Sequence, residues 1–499
     1  MTAGAGDVPG DGEPEDAAAE DGRTAAGQPG AAAGDPATGG PAQPAAGQRE
    51  ADTGAPVAGG RAQDADAAGP KTNGRQDAAE AAPGPSGTAP RRGFSRRAFL
   101  GGAAAGTALG ALGAIGTEAF LDRQRVGSTM DLAASYPFYG QAHQGGVTTP
   151  PQRYCVYSTF DMTSTSVRDL QVVLARWSAA ISLLQAGKPV GEVQPPTGQG
   201  VPSDTGEAYG LDPASLTVTV GLGPSLFDSR FGLAGRRPRL LQKLPSLPSD
   251  NIDPALDGGD LSLQACADDP QVAYHAVRNL ARIARGQVQT RWTVLGFGRA
   301  SAGPGQQTPR NLMGFKDGTR NATTTDLQRQ YVWAHDSDQR WMRGGTYQIA
   351  RKIRMRLEIW DADRVGDQEE TFGRTKREGA PLSGGTEFTT PDFHRRGPDG
   401  QPRIPVDSHI ALAAHEHNDG VRILRRPYNY TDGLDADGQL DAGLIFICYQ
   451  NDPEHFVRIQ RRLGASDRLN EYISHIGSAL FAVPPAPREG HYLAEGLFS

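Results

Sequence analysis

Three short stretches of the 499-residue chain hold side chains whose types could do chemistry. Gly314-Phe315-Lys316-Asp317-Gly318-Thr319 sets a carboxylate in a turn. Asp407-Ser408-His409-Ile410-Ala411-Leu412 sets an imidazole before an apolar run, and Ile423-Leu424-Arg425-Arg426-Pro427-Tyr428 sets two guanidiniums in an apolar, strand-like run. A positioned carboxylate can take a proton and return it, an imidazole can ligate a metal, and a fixed guanidinium can stabilise developing negative charge. Each stretch also has a plainer reading. Lys-Asp-Gly is turn chemistry, in which Asp accepts local N–H bonds and Gly supplies positive φ. A lone His is more often structural than a ligand, and a strand Arg commonly faces solvent beside an ion-pair partner. Arg is seldom buried unpaired, however, so a buried anion would explain one of the two guanidiniums. His415 and His417 add a rival reading, a His-rich metal site, but the run from Ala414 to Gly420 reads as a solvated loop without zinc-type ligand spacing.

The elements that must position these stretches follow from periodicity. Gln152–Met162 is rich in β-branched and aromatic residues and reads as a strand. Over Ser164–Gly187, Val167, Leu170, Leu174, Trp177, Ile181 and Leu184 recur at steps of three and four, which predicts one apolar helix face. Leu216–Leu222 and Leu261–Ala267 read as strands. Asp269-Pro270 supplies an N-cap and a first-turn proline for a helix to about Arg285, stopped by Gly286, and Gln289–Phe297 is a further strand. The order β-α-β-β-α-β is the ferredoxin-like pattern. A second half repeats it with interruptions: a strand at Tyr347–Met355, a short helix around Asp361–Phe372, and Gly/Pro/Asp-rich loops over Gly379–Pro405. A hairpin of Arg422–Tyr430 with Leu444–Gln450, a helix at Pro453–Leu463 and a strand at Ala479–Pro484 complete it. The expected fold class is α+β, with two related ferredoxin-like domains at 136–310 and 311–499 and a cleft between them, a usual place for a cofactor.

Composition separates the rest of the chain from these halves. Residues 1–90 contain no Leu, Ile, Phe, Tyr or Trp and hold 14 acidic and 5 basic side chains, so a disordered acidic tail is expected. Residues 91–499 hold 43 acidic and 45 basic side chains without a basic stripe, and nucleic acid is not an expected partner. Ser95-Arg96-Arg97-Ala98-Phe99-Leu100 leads into an uncharged Gly/Ala-rich stretch and resembles a twin-arginine export signal over 91–119, with Thr117-Glu118-Ala119 as a small-x-small cleavage site. A membrane anchor is the rival reading; the stretch has the length for one, but Gly and Ala give it little transfer energy. The signal implies passage through the twin-arginine machinery to an extracellular, periplasmic or cell-envelope location. Cys155, Cys266 and Cys448 lie in apolar strand-like runs without CxxC spacing and are expected to be buried thiols.

Together the three chemical stretches, with Arg425 sixteen residues after His409, resemble the dye-decolourising peroxidases. So do His143-Gln144-Gly145-Gly146-Val147-Thr148-Thr149-Pro150-Pro151-Gln152, Leu263-Gln264-Ala265-Cys266-Ala267-Asp268-Asp269-Pro270 and Gly477-Ser478-Ala479-Leu480-Phe481-Ala482-Val483-Pro484-Pro485. The resemblance spans roughly 136–490 and is closest to the exported branch that includes the deferrochelatases. It implies a duplicated ferredoxin-like fold in an α+β barrel arrangement, one haem b per chain, and reduction of hydrogen peroxide through a ferryl intermediate. Dye-like, phenolic or metal-ion electron donors would be oxidised. Two alternatives travel with it: release of iron from haem with the porphyrin intact, and haem carriage without catalysis. By the same resemblance His409 is the proximal ligand of the haem iron, Asp317 the distal aspartate and Arg425 the distal arginine, which also touches haem. Gly318, Thr319 and Arg320 follow at the haem edge. Asp467 and Glu471, four apart, would share one helix face, and Glu471 sits where the family usually places the acceptor for the proximal histidine. The chain departs from the haem-handling branch just after that histidine, reading Ala413-Ala414-His415-Glu416 where relatives often read Ala-Asn-Pro-Arg. Bulky donors would pass electrons through surface aromatics, for which Trp333, Trp341, Tyr347 and Tyr430 are candidates, although strand aromatics are more often core. Self-association into a homo-oligomer is left open.

Overall fold

The structure, a computed structural model, describes residues 130–298 and 308–499. The acidic tail of 1–90 and the twin-arginine segment of 91–119 lie outside the described residues. Among those described, no helix is long and apolar enough to cross a membrane.

The N-terminal half runs β1 (Tyr154–Met162), α1 (Val167–Gln185), β2 (Thr217–Leu222), β3 (Leu261–Ala267), α2 (Pro270–Ile283) and β4 (Val288–Phe297). The helices begin where side chains cap them. Ser166 accepts from the Asp169 N–H at the start of α1, and the Asp269 carboxylate accepts from Gln271 and Val272 at the start of α2, with Pro270 in its first turn. The apolar face read from the sequence is the buried one except at Val167, which the first turn leaves exposed: Leu170, Leu174, Trp177, Ile181 and Leu184 pack in one core with Val272, Ala276 and Leu280. Trp177 donates its indole N–H to the Leu280 carbonyl at 2.8 Å, which joins the two helices. Each such side chain contributes about 1.5–3 kcal/mol by leaving water.

The C-terminal half runs α3 (Thr325–Tyr331), β5 (Thr346–Met355), α4 (Leu357–Ala362), α5 (Val365–Phe372), α6 (His409–Ala413), β6 (Leu424–Arg425), β7 (Tyr428–Leu434), β8 (Leu440–Gln450), α7 (Glu454–Ser466) and β9 (Ile473–Val483). The run at Ser408-His409, expected as a strand end, opens a helix, and the helix at Thr325–Tyr331 was not anticipated. Three further features differ from the sequence reading. The single helix expected around Asp361–Phe372 is two, broken at Asp363-Arg364. The strand expected over Arg422–Tyr430 is two, because Pro427 has no N–H to give a ladder and fixes its own φ. The helix over 454–466 ends at Ser466, so Asp467 is an extended capping residue and shares no helix face with Glu471.

All nine strands form one sheet in the order β5-β9-β2-β3-β1-β4-β7-β8-β6, and β5 also pairs with β8, so eight strands close into a ring and β6 lies outside it as a short addition to β8. Each half keeps the ferredoxin-like order: β4-β1-β3-β2 in the first and β9-β5-β8-β7 in the second. The halves meet at two short seams, Leu222↔Ala482 on one side and Gly296↔Tyr430 with Phe297↔Asn429 on the other. The fold is α+β, two ferredoxin-like units joined in one barrel.

Candidate functional site

A cavity of about 1660 Å³, counting its open mouth, is lined by both β5 and β8, by α6 and by the turn at Asp317. Its walls are largely apolar, with Met313, Phe315, Ile353, Phe372, Leu444 and Phe446 among them. Phe315 and Phe372 stack at 4.1 Å, Trp360 meets both edge-on, and Phe372 meets the His409 ring at 5.9 Å. This aromatic wall ties the segment that carries Asp317 to the one that carries His409.

His409 opens α6. The hydroxyl of Ser408 donates to the Pro405 carbonyl at 2.7 Å and fixes the approach to the helix. His409 Nδ1 lies 2.7 Å from Asp467 Oδ2, and the other oxygen of that carboxylate accepts from the Leu469 N–H at 2.9 Å. The Asp467 side chain is 2% exposed, whereas His409 keeps 29%, opening on the cavity it lines. Burial works against a charged His409, and the Asp467 carboxylate outweighs it, so the imidazole pKa stands above its ordinary value. With Nδ1–H donated to the carboxylate, Nε2 is the basic nitrogen, and it makes no protein hydrogen bond among the described residues. The segments are held together one residue further along, where Arg468 Nε pairs with Asp407 at 2.9 Å.

The acceptor is therefore Asp467, and the expectation of Glu471 is corrected. Glu471 ends the short 3-10 turn Arg468–Glu471 and is exposed, because that turn carries it away once the helix has stopped. His475 is another imidazole on the cavity, but its Nε2 bonds to Gln460 and, among the described residues, no carboxylate bonds to its ring. Burial first, then the charge of Arg351 and of His409, push its pKa down to about 3, so it is neutral.

Asp317 and Arg425 line the same cavity and pair with each other, Arg425 Nη1 lying 3.0 Å from Asp317 Oδ1. Arg425 Nη2 donates to the Thr319 carbonyl, also at 3.0 Å. Gly318 sits between these two acceptors with φ of 130°, a conformation that costs other residues strain, and this turns both acceptors towards one guanidinium. Asn321 holds the other end, accepting from the Arg425 N–H at 2.8 Å and donating to the Arg425 carbonyl at 2.7 Å. Thr319 directs its hydroxyl to Glu387 at 3.1 Å. Arg320 also lines the cavity, in a left-handed backbone conformation, but its guanidinium is engaged by Glu416 and by His415 at 3.2 Å. The loop that departs from the haem-handling branch thus supplies the partners of Arg320.

Sequence reasoning missed Arg374. It lines the cavity at 6% exposure and donates to the carbonyls of Gly379 and Glu387. Burial, then the neighbouring charges of Arg320 and Arg425, lower its pKa to about 10, so three guanidiniums lie close together on this rim. A cofactor with acidic side groups would suit them. The only local signal was a lone Arg directly after a helix-stopping Gly373, too common to single out.

Other expectations fall elsewhere. His415 and His417 bond to Arg422 and to the Ala411 carbonyl, and no metal-ligating cluster of His, Cys, Asp and Glu exists among the described residues. Trp333, Trp341, Tyr347 and Tyr430 are all buried, at 7%, 7%, 1% and 0% exposure, so they are core residues and not surface aromatics. The three cysteines are buried and free, as the sequence led us to expect.

Residues 144–298 match the model of the N-terminal part of Dyp-type peroxidases and residues 308–488 that of the C-terminal part. The chain belongs to the Dyp-type peroxidase family. Relatives agree: a deferrochelatase of Yersinia pseudotuberculosis is 38% identical over 374 residues, covering 72% of this chain and 84% of the relative. A deferrochelatase of Escherichia coli O157:H7 is 38% identical over 372 residues, covering 72% and 86%. Among solved structures, an oxyferrous/water mixed complex of DtpA from Streptomyces lividans superposes with a TM-score of 0.69 at 39% identity, covering 74% of this chain and all of that one. A DyP-type peroxidase from Cellulomonas bogoriensis gives 0.66 at 36% identity, covering 74% and 99%. As a Dyp-type peroxidase the chain is an oxidoreductase that uses peroxide and an electron donor.

Proposed function

We propose that this Dyp-type peroxidase holds one haem b in the cavity, where His409 Nε2 would ligate the iron and Asp317 and Arg425 would act on peroxide. The observation that carries the reading is the pairing of His409 with buried Asp467, which leaves Nε2 free on a cavity shared with the Asp317–Arg425 pair. The apolar walls suit a porphyrin, and the Arg374 rim suits its propionates. Bound haem would supply the two electrons that reduce peroxide and would recover them from the electron donor.

The chain's own residues do the rest. Asp467 keeps the Nδ1 proton on His409 and raises the basicity of Nε2. Asp317 takes a proton from the near oxygen of peroxide and returns it to the far, departing one. Arg425 carries fixed positive charge where negative charge develops on that oxygen, and its bond to Asp317 Oδ1 orients the base. Gly318, Thr319 and Arg320 form the haem edge, Gly318 by its backbone and Arg320 through its pairing with Glu416. Asp317→Asn combined with Arg425→Leu should lower kcat/KM for peroxide by at least ~100-fold with haem retained; undiminished turnover would reject these roles. The donors we expect are dye-like, phenolic or metal-ion compounds.

The relatives named deferrochelatase favour a second reading, iron release from haem with the porphyrin intact. Anaerobic incubation of the haem-loaded protein with an iron chelator separates the two, since free protoporphyrin should appear only if this second reading holds. We further propose two domains, 136–310 and 311–499, and export through the twin-arginine pathway directed by Arg96-Arg97. An Arg96→Lys, Arg97→Lys variant retained in the cytoplasm would support that route, and self-association is checked by sedimentation.

A further inference from the structure

Arg425 lines the cavity, but its neighbour Arg426 serves something else. The Arg426 side chain is 2% exposed, and a guanidinium stays charged in any protein environment. It donates to the Thr149 carbonyl at 2.6 Å and to Gln152 Oε1, both neutral, while its Nε has no hydrogen-bond acceptor. Asp268 feels its charge at longer range, yet among the described residues no carboxylate bonds to it; the acidic side chains that bear on it most are Tyr428, Cys266 and Tyr449. A buried charge without an anion is costly enough that a neighbouring acid ionises where one is available.

Cys266 is that acid. It stands directly across from Cys155 in the β1–β3 register, both thiols are wholly buried, and the Tyr428 hydroxyl donates to Cys266 Sγ at 3.5 Å. Burial raises a thiol, but Cys155, Arg426 and Tyr428 together hold Cys266 below its ordinary value, while burial and Cys266 push Cys155 well above. Of the two sulfurs, Cys266 is the one placed beside Arg426 and Tyr428 to lose its proton, and Cys155 the one placed to keep it. Cys448 lacks a thiol partner: it pairs with Ile349 and Arg425 in the sheet, and burial pushes its thiol up against the charges of Arg425 and Arg351.

We propose that Cys155 and Cys266 are a peroxide-oxidisable dithiol in which Cys266, held as a thiolate against Arg426 and Tyr428, is the attacking sulfur. The thiolate attacks one oxygen of hydrogen peroxide and the O–O bond breaks, giving a sulfenic acid and hydroxide, which takes the Cys155 proton and becomes water. Cys155 then attacks the Cys266 sulfur, the S–O bond breaks, and a second hydroxide leaves. Two electrons pass from the sulfurs to peroxide, and the products are one disulfide, one water and one hydroxide. The row Cys266, Cys155, Gly296, Tyr430 runs across four strands to the seam joined by two residue pairs. Such a pair would record peroxide that the haem site fails to consume.

The test uses the haem-loaded protein treated with excess hydrogen peroxide, quenched with catalase, unfolded in iodoacetamide and digested for mass spectrometry. A disulfide-linked Cys155–Cys266 peptide, with Cys448 still alkylated, is expected. Recovery of all three cysteines alkylated as in untreated protein, or oxidation of Cys448 as readily as the pair, overturns the proposal. In Cys155→Ser, dimedone should trap a sulfenic acid on Cys266 and no linked peptide should form; an unmodified Cys266 there counts against it. A measurement without peroxide guards against misfolding and is independent of the haem reading. The infrared S–H stretch of untreated protein at neutral pH should report two of the three thiols, and a third S–H band that disappears in Cys266→Ser would show that no thiolate exists.

Discussion

Three imidazoles, His409, His415 and His475, line one cavity, and their partners tell them apart: His415 is taken up by Arg320 and Arg422. His409 gives its Nδ1 proton to a buried carboxylate, whereas His475 is bonded through Nε2 by a neutral amide. His409→Ala should therefore lose the haem Soret band, and His475→Gln should keep it, as an absorption spectrum of the haem-loaded variants would tell. Asp467→Asn should lower kcat/KM for peroxide by about 10–100-fold, the usual effect of losing a ligand's carboxylate partner, while Glu471→Gln stays near wild type. Reversal of that order would restore Glu471 as the acceptor. At this scale the residue types were legible in the sequence, since Asp317, His409 and Arg425 do converge on one cavity. The choice between two carboxylates four residues apart was not, because it depended on where a helix stops.

Elements decide how firmly the pair over the cavity is held. Asn321 clamps the backbone of Arg425 on both sides, so Asn321→Ala should remove two hydrogen bonds and lower stability by about 1–3 kcal/mol, with weaker peroxide turnover as Arg425 loosens. Chemical denaturation read beside steady-state kinetics checks both effects. Gly296 lies at the seam between β4 and β7, where a Cβ would come within 2.7 Å of Tyr428 Cβ and 3.2 Å of Ile445 Cγ2. Neither neighbour is the free end of a long side chain, so Gly296→Ala should destabilise by about 1–3 kcal/mol through overpacking, visible as a lower Tm. The regular elements were largely legible, for hydrophobic period and caps act within a few residues. The break at Pro427 was written in the sequence too, although a continuous apolar run hid it.

On the scale of the whole molecule, charge and closure matter more than any one element. Asp204 is 1% exposed and accepts from His275 Nε2 at 2.8 Å and from the N–H groups of Val190 and Gly206, which pins the 188–206 loop against α2. Burial opposes its charge, but these donors prevail and its pKa lies below the ordinary value. A carboxyl so depressed stabilises the fold above its unfolded pKa of about 3.9, and that contribution fades as pH falls through the lower folded value. Asp204→Asn should thus cost about 1–3 kcal/mol from pH 5 to 7, with the gap to wild type closing below about pH 4 in urea titrations.

The sequence by itself determined the two βαββαβ runs, the acidic composition of residues 1–90 and the three stretches that bear chemistry, because strand alternation, helix period and turn residues are properties of neighbours along the chain. The tertiary structure alone decided that β5 pairs with β8 and closes the ring, that Asp467 and not Glu471 meets His409, and that Arg374 faces the cavity. It also decided that Arg426 is buried beside Cys266, 160 positions away along the chain. Contacts of that range depend on how whole elements pack, and no local period in the sequence records them.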